Sequence, residues 1–333
     1  MDTPKFDPKY YSLTKLLSRN KLMNFVIGNR GGGKSFAAKR WGINGWLKNR
    51  KQWFYIRRYN TEFEAIQNYF SDIEKFYPDH KFEASEGKFW IDGEVAGYYA
   101  PLSTSQNLKS NSYPDVDKII YDEFIIIETS TKHYLKNEVM LFLDLYETIA
   151  RMRDVTVLMI SNAITVINPY FTYFHLMPRN GMKFLTVGEC CVELYKGEEF
   201  TKEKKQTKFG KLIDGTRYGC YNIDNEFYND NYSFIEKMPG GVVPWCSIVY
   251  MGQTYNVWYS PTKGYIYFNK KPVPSSCPKY CVTTQDHDPN YVLLKSLKRN
   301  PYFKDIRMCY EIGFVRFDKL DSKQAFYDIV GLI

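Results

Sequence analysis

Gly28-Asn29-Arg30-Gly31-Gly32-Gly33-Lys34-Ser35 matches the phosphate-binding pattern GxxxxGK[ST] at every fixed position. Asn24-Phe25-Val26-Ile27 precedes it as a short apolar run of the kind that forms a buried strand. Ser35-Phe36-Ala37-Ala38-Lys39-Arg40-Trp41 follows as a helix opening. A glycine loop between strand and helix points backbone N–H groups, and the positive helix end, at a phosphate. Gly28 to Ser35 are therefore the expected nucleotide-binding residues. Lys34 would reach the β- and γ-phosphates of a nucleoside triphosphate, and the Ser35 hydroxyl would sit on Mg²⁺.

A partner motif is expected downstream. Val116-Asp117-Lys118-Ile119-Ile120-Tyr121 reads as a buried strand ending in Asp122-Glu123. Hydrolysis needs two carboxylates with different tasks at one strand end: Asp122 to hold Mg²⁺ through its water shell, Glu123 to polarise the attacking water. Alone this is a weak signal, but it gains weight about ninety residues beyond a good phosphate loop. Val155 to Ile160 predicts a further strand, lying beside the first, with its polar end Ser161-Asn162 facing the γ-phosphate. Asn162 is thus a candidate sensor of hydrolysis.

Between these motifs, Gln52 to Ile56 predicts a second buried strand that ends at Arg57-Arg58. In an open α/β sheet that end is the ligand side, so the two arginines are candidates to touch nucleotide, a neighbouring subunit or DNA. Phe63, Ile66, Tyr69, Phe70, Ile73 and Phe76 share one face of a predicted helix over 62–76. Turn signals at Glu86-Gly87 and Asp92-Gly93 predict a small antiparallel insertion over 81–101. Residues 103–114 read as a polar loop holding Lys109. A helix is predicted over 138–150, ending at Arg151-Met152-Arg153. These two arginines lie at the far end of the next strand from Asn162. They suit a neighbour's nucleotide better than their own, where an arginine would stabilise the transferring phosphoryl group.

Composition sets the frame. A chain of 333 residues exceeds one ordinary core, so two domains are expected. The aromatic content of 17% should be mostly core and interface. A net charge of +8, from 45 basic and 37 acidic residues, permits a polyanionic partner. No apolar run approaches the roughly eighteen residues a membrane span needs. No signal peptide is expected at Met1-Asp2-Thr3-Pro4-Lys5, since no apolar stretch follows. Seven scattered cysteines read as reduced thiols in a cytosol. Cys277, Cys281 and His287 lack a fourth ligand and zinc spacing.

Several strings together resemble the DNA-packaging (encapsidation) ATPases of phi29-type small tailed bacteriophages, compact relatives of the large terminase motors. They are Asn24 to Gly28, Tyr55-Ile56-Arg57-Arg58-Tyr59, Lys109-Ser110-Asn111, Asp122-Glu123-Phe124-Ile125, Asn137-Glu138-Val139, Ser161-Asn162-Ala163, Asn168-Pro169-Tyr170-Phe171 and Phe209 to Thr216. The likeness runs colinearly through the first two-thirds of the chain and is looser beyond Glu226.

The resemblance implies an ASCE-type P-loop ATPase with a central, mostly parallel sheet. It implies a ring, expected to be a pentamer, that docks on the portal of a procapsid and pumps double-stranded DNA into it. The expected setting is the host cytoplasm, with transient attachment to the procapsid and absence from the mature virion. A structural packaging RNA is a possible further partner, since relatives use one. The resemblance supports Arg151 as the arginine given in trans and Lys109 as a second basic residue at the subunit boundary. It puts the loop around 129–133 near the central channel, where Lys132 is the one cation.

Residues 1–197 are the expected ATPase domain and 198–228 a basic linker, with six basic residues against Glu203 and Asp214 between Thr201 and Arg217. Residues 229–333 are the expected docking domain, an α+β unit resembling a ribonuclease H-like nuclease. It predicts three meander strands, but Trp245 to Tyr250, the first of them, has no acid. Asp286 and Asp288 do not complete a two-metal cluster, so a vestigial nuclease is expected. A helicase or other translocase would use the same ATP chemistry. A small-molecule kinase fits less well, because Asp122-Glu123 and Asn162 suit water activation.

Overall fold

Six parallel strands form the centre of the N-terminal unit. A computed structural model describes residues 7, 9–126, 132–162, 165, 168–176, 178, 182–216, 219, 234–293 and 301–332. The chain divides into two compact units, Met1–Asn229 and Asp230–Ile333. In the first, the elements run α1 (Thr14–Leu17), β1 (Met23–Gly28), α2 (Lys34–Asn49), β2 (Gln52–Arg57), β3 (Phe82–Ser85), β4 (Lys88–Ile91), β5 (Glu94–Pro101) and β6 (Val116–Asp122). Then come α3 (Glu138–Ala150), β7 (Thr156–Asn162), α4 (Pro169–Tyr173), β8 (Phe184–Val187), β9 (Cys190–Tyr195), α5 (Glu198–Gln206) and α6 (Lys208–Ile213).

The sheet order is β3-β4-β5-β2-β6-β7-β1-β9-β8. Strands β5 to β9 of that order pair in parallel, and antiparallel hairpins close both edges. Strand β7 lies between the phosphate-loop strand β1 and the carboxylate strand β6, as ASCE ATPases require. β1 is buried along its whole length and β7 at five of seven positions, as their apolar runs predict. The parallel arrangement puts the C-terminal ends of β1, β2, β6 and β7 along one edge, where ligands of open α/β sheets bind.

Three local expectations change. The stretch 62–76 is no single α-helix but short 3₁₀ turns, at Asn60–Phe63, Ile66–Asn68 and Glu74–Phe76. Its apolar positions recur every three residues, which suits 3.0 residues per turn. Phe63, Tyr69, Phe70 and Ile73 are nevertheless buried. The ring of Phe89 packs against Tyr69 at 4.3 Å and Trp53 at 5.4 Å, so the aromatic surplus is largely core here. The antiparallel strands expected over 81–101 form, and β5 also pairs in parallel with β2, so they extend the main sheet. The polar loop after Pro101 begins with a 3₁₀ segment, Leu102–Leu108. The stretch read as a linker begins with two helices, α5 and α6.

The second unit contains β10 (Val243–Tyr250), β11 (Gln253–Tyr259), β12 (Ile266–Asn269), β13 (Lys279–Cys281), β14 (Val292–Leu293), α7 (Pro301–Glu311), β15 (Val315–Phe317) and α8 (Leu320–Leu332). Strands β10, β11 and β12 form the expected antiparallel meander, and β13 and β14 add in parallel beside β10. This is the ribonuclease H-like order, with β15 added beyond β12. Cys246, Val257, Phe268, Phe303 and Phe326 are among its core side chains. Among the described residues no helix is long and apolar enough to cross a membrane.

Candidate active site

The loop from Gly28 to Ser35 leaves β1 and enters α2 through backbone that L side chains rarely adopt. Gly31 and Gly33 have φ of +86° and +88°. Gly33 caps the helix without a side-chain hydrogen bond. The first-turn amides of α2 thus have no competing side chain and can serve an anion. A Cβ at Gly28 would come within 2.9 Å of the Tyr195 carbonyl oxygen. The loop is braced from outside: the Tyr11 amide donates to Gly32 O at 2.9 Å and Lys204 Nζ to Arg30 O at 2.9 Å. Asn29 Nδ2 donates to Thr201 Oγ1 at 3.0 Å.

Lys34 is buried and folds back on the loop. Its Nζ donates to Gly28 O at 2.9 Å, Asn29 O at 2.8 Å and Asn162 Oδ1 at 3.4 Å. Burial lowers its pKa to about 8, Asp122 works in the opposite direction, and Lys204 adds to the lowering. Register explains the approach of Asn162, which pairs with Gly28 across β1 and β7.

Asp122 and Glu123 end β6 with separate partners. Tyr55 Oη donates to Asp122 Oδ2 at 3.2 Å. Glu123 leaves the strand at φ +56°, its amide held by Ile160 O at 2.8 Å. Its carboxylate accepts from Arg57 Nη2 at 2.8 Å, and the same nitrogen reaches Glu62 Oε1 at 3.0 Å. Burial would raise Glu62, but the Tyr59 amide and Arg57 hold it below the usual range. Ser35 and Asp122 supply hard oxygen donors, which suits Mg²⁺.

Arg58 requires a correction. It was a candidate to touch nucleotide, subunit or DNA, but it is 2% exposed. Its Nε and Nη2 bind the Glu138 carboxylate at 2.7 and 2.8 Å. Its Nη1 and Nη2 also donate to the carbonyls of Glu123 and Phe124, at 3.1 and 2.8 Å. Tyr121 and Tyr170 hydroxyls complete the Glu138 shell, each at 3.0 Å. Sequence reasoning missed Glu138, although the Asn137-Glu138-Val139 string was noticed. Its signal is an acid at the buried start of a helix, which demands a cation partner.

Arg153, the other trans candidate, is anchored within its own chain. Its guanidinium donates to Val116 O, Tyr113 O and Ile149 O at 2.6 to 2.7 Å, pinning the start of β6 to the end of α3. Arg151 is exposed, with one long hydrogen bond, Nη2 to Asn111 O at 3.4 Å. Lys109 pairs with Asp144 of α3 at 3.2 Å. Lys132 is exposed, while the loop positions 129–131 beside it lie outside the described residues, as does Arg217 of the basic stretch.

In the second unit, Asp286 accepts the amides of Met251 and Gly252, at 3.0 and 2.8 Å, and the Thr283 hydroxyl at 2.7 Å. That carboxylate braces the β10–β11 turn. Ser247, mid-strand in β10, donates to Asn256 Oδ1 at 2.6 Å. No cluster of three His, Cys, Asp or Glu able to hold a metal occurs among the described residues.

The family model described as "Podovirus DNA encapsidation protein (Gp16)" matches residues 6–331. The DNA packaging protein of Bacillus phage PZA is 38% identical over 321 residues, 96% of each chain. Among solved structures, a chain of the bacteriophage Phi-29 viral genome packaging motor assembly superposes with a TM-score of 0.81 at 37% identity. The match covers 97% of this chain and 99% of that one. The N-terminal domain of the DNA packaging ATPase from bacteriophage phi29 is 40% identical, with a TM-score of 0.55, covering 57% of this chain and 98% of that one.

Proposed function

Because this chain belongs to the podovirus DNA encapsidation protein family, we propose that its residues at the ends of β1, β6 and β7 form one ATP-hydrolysing centre. The protein is an ATPase that drives viral DNA packaging. The observation that carries the residue assignment is the meeting of three strand ends: Lys34 touches Asn162, and Asp122-Glu123 end the next strand but one.

In this reading the loop amides and Lys34 hold the phosphates. Glu123 accepts a hydrogen bond from the attacking water and takes its proton. The water oxygen bonds to the γ-phosphorus as the bond to the β,γ-bridging oxygen breaks, leaving ADP and phosphate. Ser35 and Asp122 would hold Mg²⁺, which supplies neutralising charge at the phosphates. Asn162, bonded to Lys34 and in register with Gly28, is placed to report loss of the γ-phosphate.

The working assembly is proposed as a homo-oligomeric ring, a pentamer, seated on the portal and passing double-stranded DNA, with a structural RNA as a further partner. It acts in the host cytoplasm and leaves the filled capsid. Arg151, just after α3, and Lys109, paired with Asp144 of α3, serve the neighbouring subunit. Residues 229–333 serve as a docking domain without nuclease activity, which the hydrogen-bonded Asp286 supports.

The test is packaging of duplex DNA into procapsids by purified Lys34→Ala and Glu123→Gln proteins. Lys34→Ala is expected to lose nucleotide binding and packaging together. Glu123→Gln is expected to bind ATP but lose about 10²–10⁴-fold in turnover. Normal capsid filling by either variant refutes the assignment.

A further inference from the structure

Helix α5 lays one face along the phosphate loop. Phe200, Thr201 and Lys204 fall on that face, at the helical spacings of one, three and four residues. A Cβ on Gly31 would meet the Phe200 ring at 3.0 Å. Thr201 Oγ1 accepts from Asn29 Nδ2 at 3.0 Å, and Lys204 Nζ donates to Arg30 O at 2.9 Å. One helix therefore meets loop residues 29, 30 and 31 in turn. The helix is tied down beside the loop by Lys9, which pairs with Glu203 at 3.2 Å, and by Tyr10, whose ring centre lies 6.2 Å from that of Phe200. Lys204 Nζ stands 5.6 Å from the Phe200 ring centre, a cation–π distance that steadies the ammonium.

Peptide geometry turns the Lys204 bond into an aim. In a trans peptide the C=O and the N–H point to opposite sides. A donor that holds Arg30 O on one side sends the Gly31 N–H to the other. The Tyr11 amide treats the peptide after Gly32 in the same way, holding Gly32 O at 2.9 Å and sending the Gly33 N–H across. Backbone φ is positive at Gly31 and Gly33 but not at Gly32, the alternation that gathers N–H groups around an anion. Glycine peptides rotate freely unless something outside fixes them. Of the two donors Lys204 is the charged one, and a cation on the carbonyl also polarises the peptide and strengthens its N–H.

We propose that Lys204 is a positioning residue for the ATPase reaction, aiming the Gly31 amide at the nucleotide's phosphates by holding the Arg30 carbonyl from α5. The assignment rests on the reading that the loop binds a nucleoside triphosphate. Lys204 lies outside the GxxxxGK[ST] string, 174 residues along the chain from the carbonyl it holds. The amide serves the phosphates before and during the reaction alike, so its loss should weaken binding more than it slows chemistry.

Calorimetric titration of the full chain with ATP and with inorganic tripolyphosphate reads phosphate binding. Lys204→Met keeps a good helix former and removes the donor. It is expected to lose about tenfold in affinity for both ligands. Lys204→Arg restores a charged donor and is expected to recover most of that loss. The loss should persist at about 1 M salt, where the screening length falls to about 3 Å, because the effect travels through a hydrogen bond and not through a distant charge. In steady-state turnover Lys204→Met should raise KM about tenfold and leave kcat within about twofold. Native affinity in Lys204→Met, a loss that vanishes at high salt, a lowered kcat at unchanged KM, or Lys204→Arg as weak as Lys204→Met overturns the role of Lys204 and spares the phosphate loop. A native chain that binds neither ligand overturns the loop reading itself.

Discussion

Arg57 Nη2 lies 2.8 Å from Glu123 Oε2, so the carboxylate assigned to orient water is tied to a guanidinium on the neighbouring strand. Glu62 grips the same nitrogen from the other side, and Arg57 Nη1 stands 3.8 Å from Asp122. One oxygen of this carboxylate is committed to arginine, and releasing it would leave both oxygens for water.

Removing the guanidinium is therefore expected to unleash idle turnover. Glu123 is 45% exposed on its side chain, so solvent screens the pair and about 1 kcal/mol is the appropriate scale. Arg57→Ala should raise ATP turnover without DNA about fivefold, and duplex DNA should then stimulate it less. Steady-state phosphate release with and without DNA measures this. A fall in idle turnover to the Glu123→Gln level would mean that Arg57 serves the reaction directly.

The strand–loop–helix core was legible because its signals are local. The GxxxxGK[ST] string announces the loop, and apolar runs announce β1, β6 and β7. The carboxylate pair was legible once the loop set the frame. The braces around the loop were not. Tyr10, Tyr195 and Lys204 converge on it from distant parts of the chain, and no spacing rule connects them. Arg58 was misread for the same reason: an arginine at a strand end looks solvated until Glu138, far along the chain, covers it. Strand pairing is equally nonlocal, so the 81–101 hairpins were legible while the pairing of β5 with β2 was not.

The Arg58–Glu138 pair makes a direct stability test. Both side chains are almost fully buried, at 1% and 0% exposed. Glu138→Gln leaves a charged arginine in the core, and breaking a buried pair costs about 3–5 kcal/mol. Replacing both by Met removes the charge but takes the partner from the Tyr121 and Tyr170 hydroxyls and the Glu123 and Phe124 carbonyls, so it should recover only part of that loss. Urea unfolding of the full chain, followed by tryptophan fluorescence, compares the three proteins. A loss under 1 kcal/mol for Glu138→Gln, roughly the surface-pair scale, would show that water reaches the pair. Turnover is a second readout, because Arg58 also holds the carbonyls of Glu123 and Phe124.

Lys34 gives nucleotide binding a pH signature. Its pKa falls from 10.5 to about 8, chiefly through burial. Below about 8 it is charged in both folded and unfolded chains, and its burial cost stands in full. Between about 8 and 10.5 the unfolded chain holds the proton more tightly, so stability rises with pH across that window. Phosphates at Lys34 favour the charged form, so ATP binding should draw in a proton. Uptake should be small at pH 7 and approach one proton near pH 9. Calorimetry in two buffers of different ionisation heat reads it directly. Equal heats in both buffers at pH 9 would show that Lys34 is already charged in the free protein.

The two arginines after α3 are expected to fail differently. Arg153 holds three backbone carbonyls, so Arg153→Ala should destabilise the fold by about 1–3 kcal/mol through the acceptors it abandons. Arg151 has one long bond and an exposed side chain, so Arg151→Ala should melt within about 0.5 kcal/mol of the native chain. Its loss should appear only in the assembled ring, as turnover reduced about 10³-fold or more. Mixing decides the assignment. Arg151→Ala subunits keep an intact Glu123, and Glu123→Gln subunits keep an intact Arg151. Mixed rings therefore contain interfaces with both groups, and turnover should reappear. Mixtures as inactive as either parent would remove Arg151 from the neighbour's site.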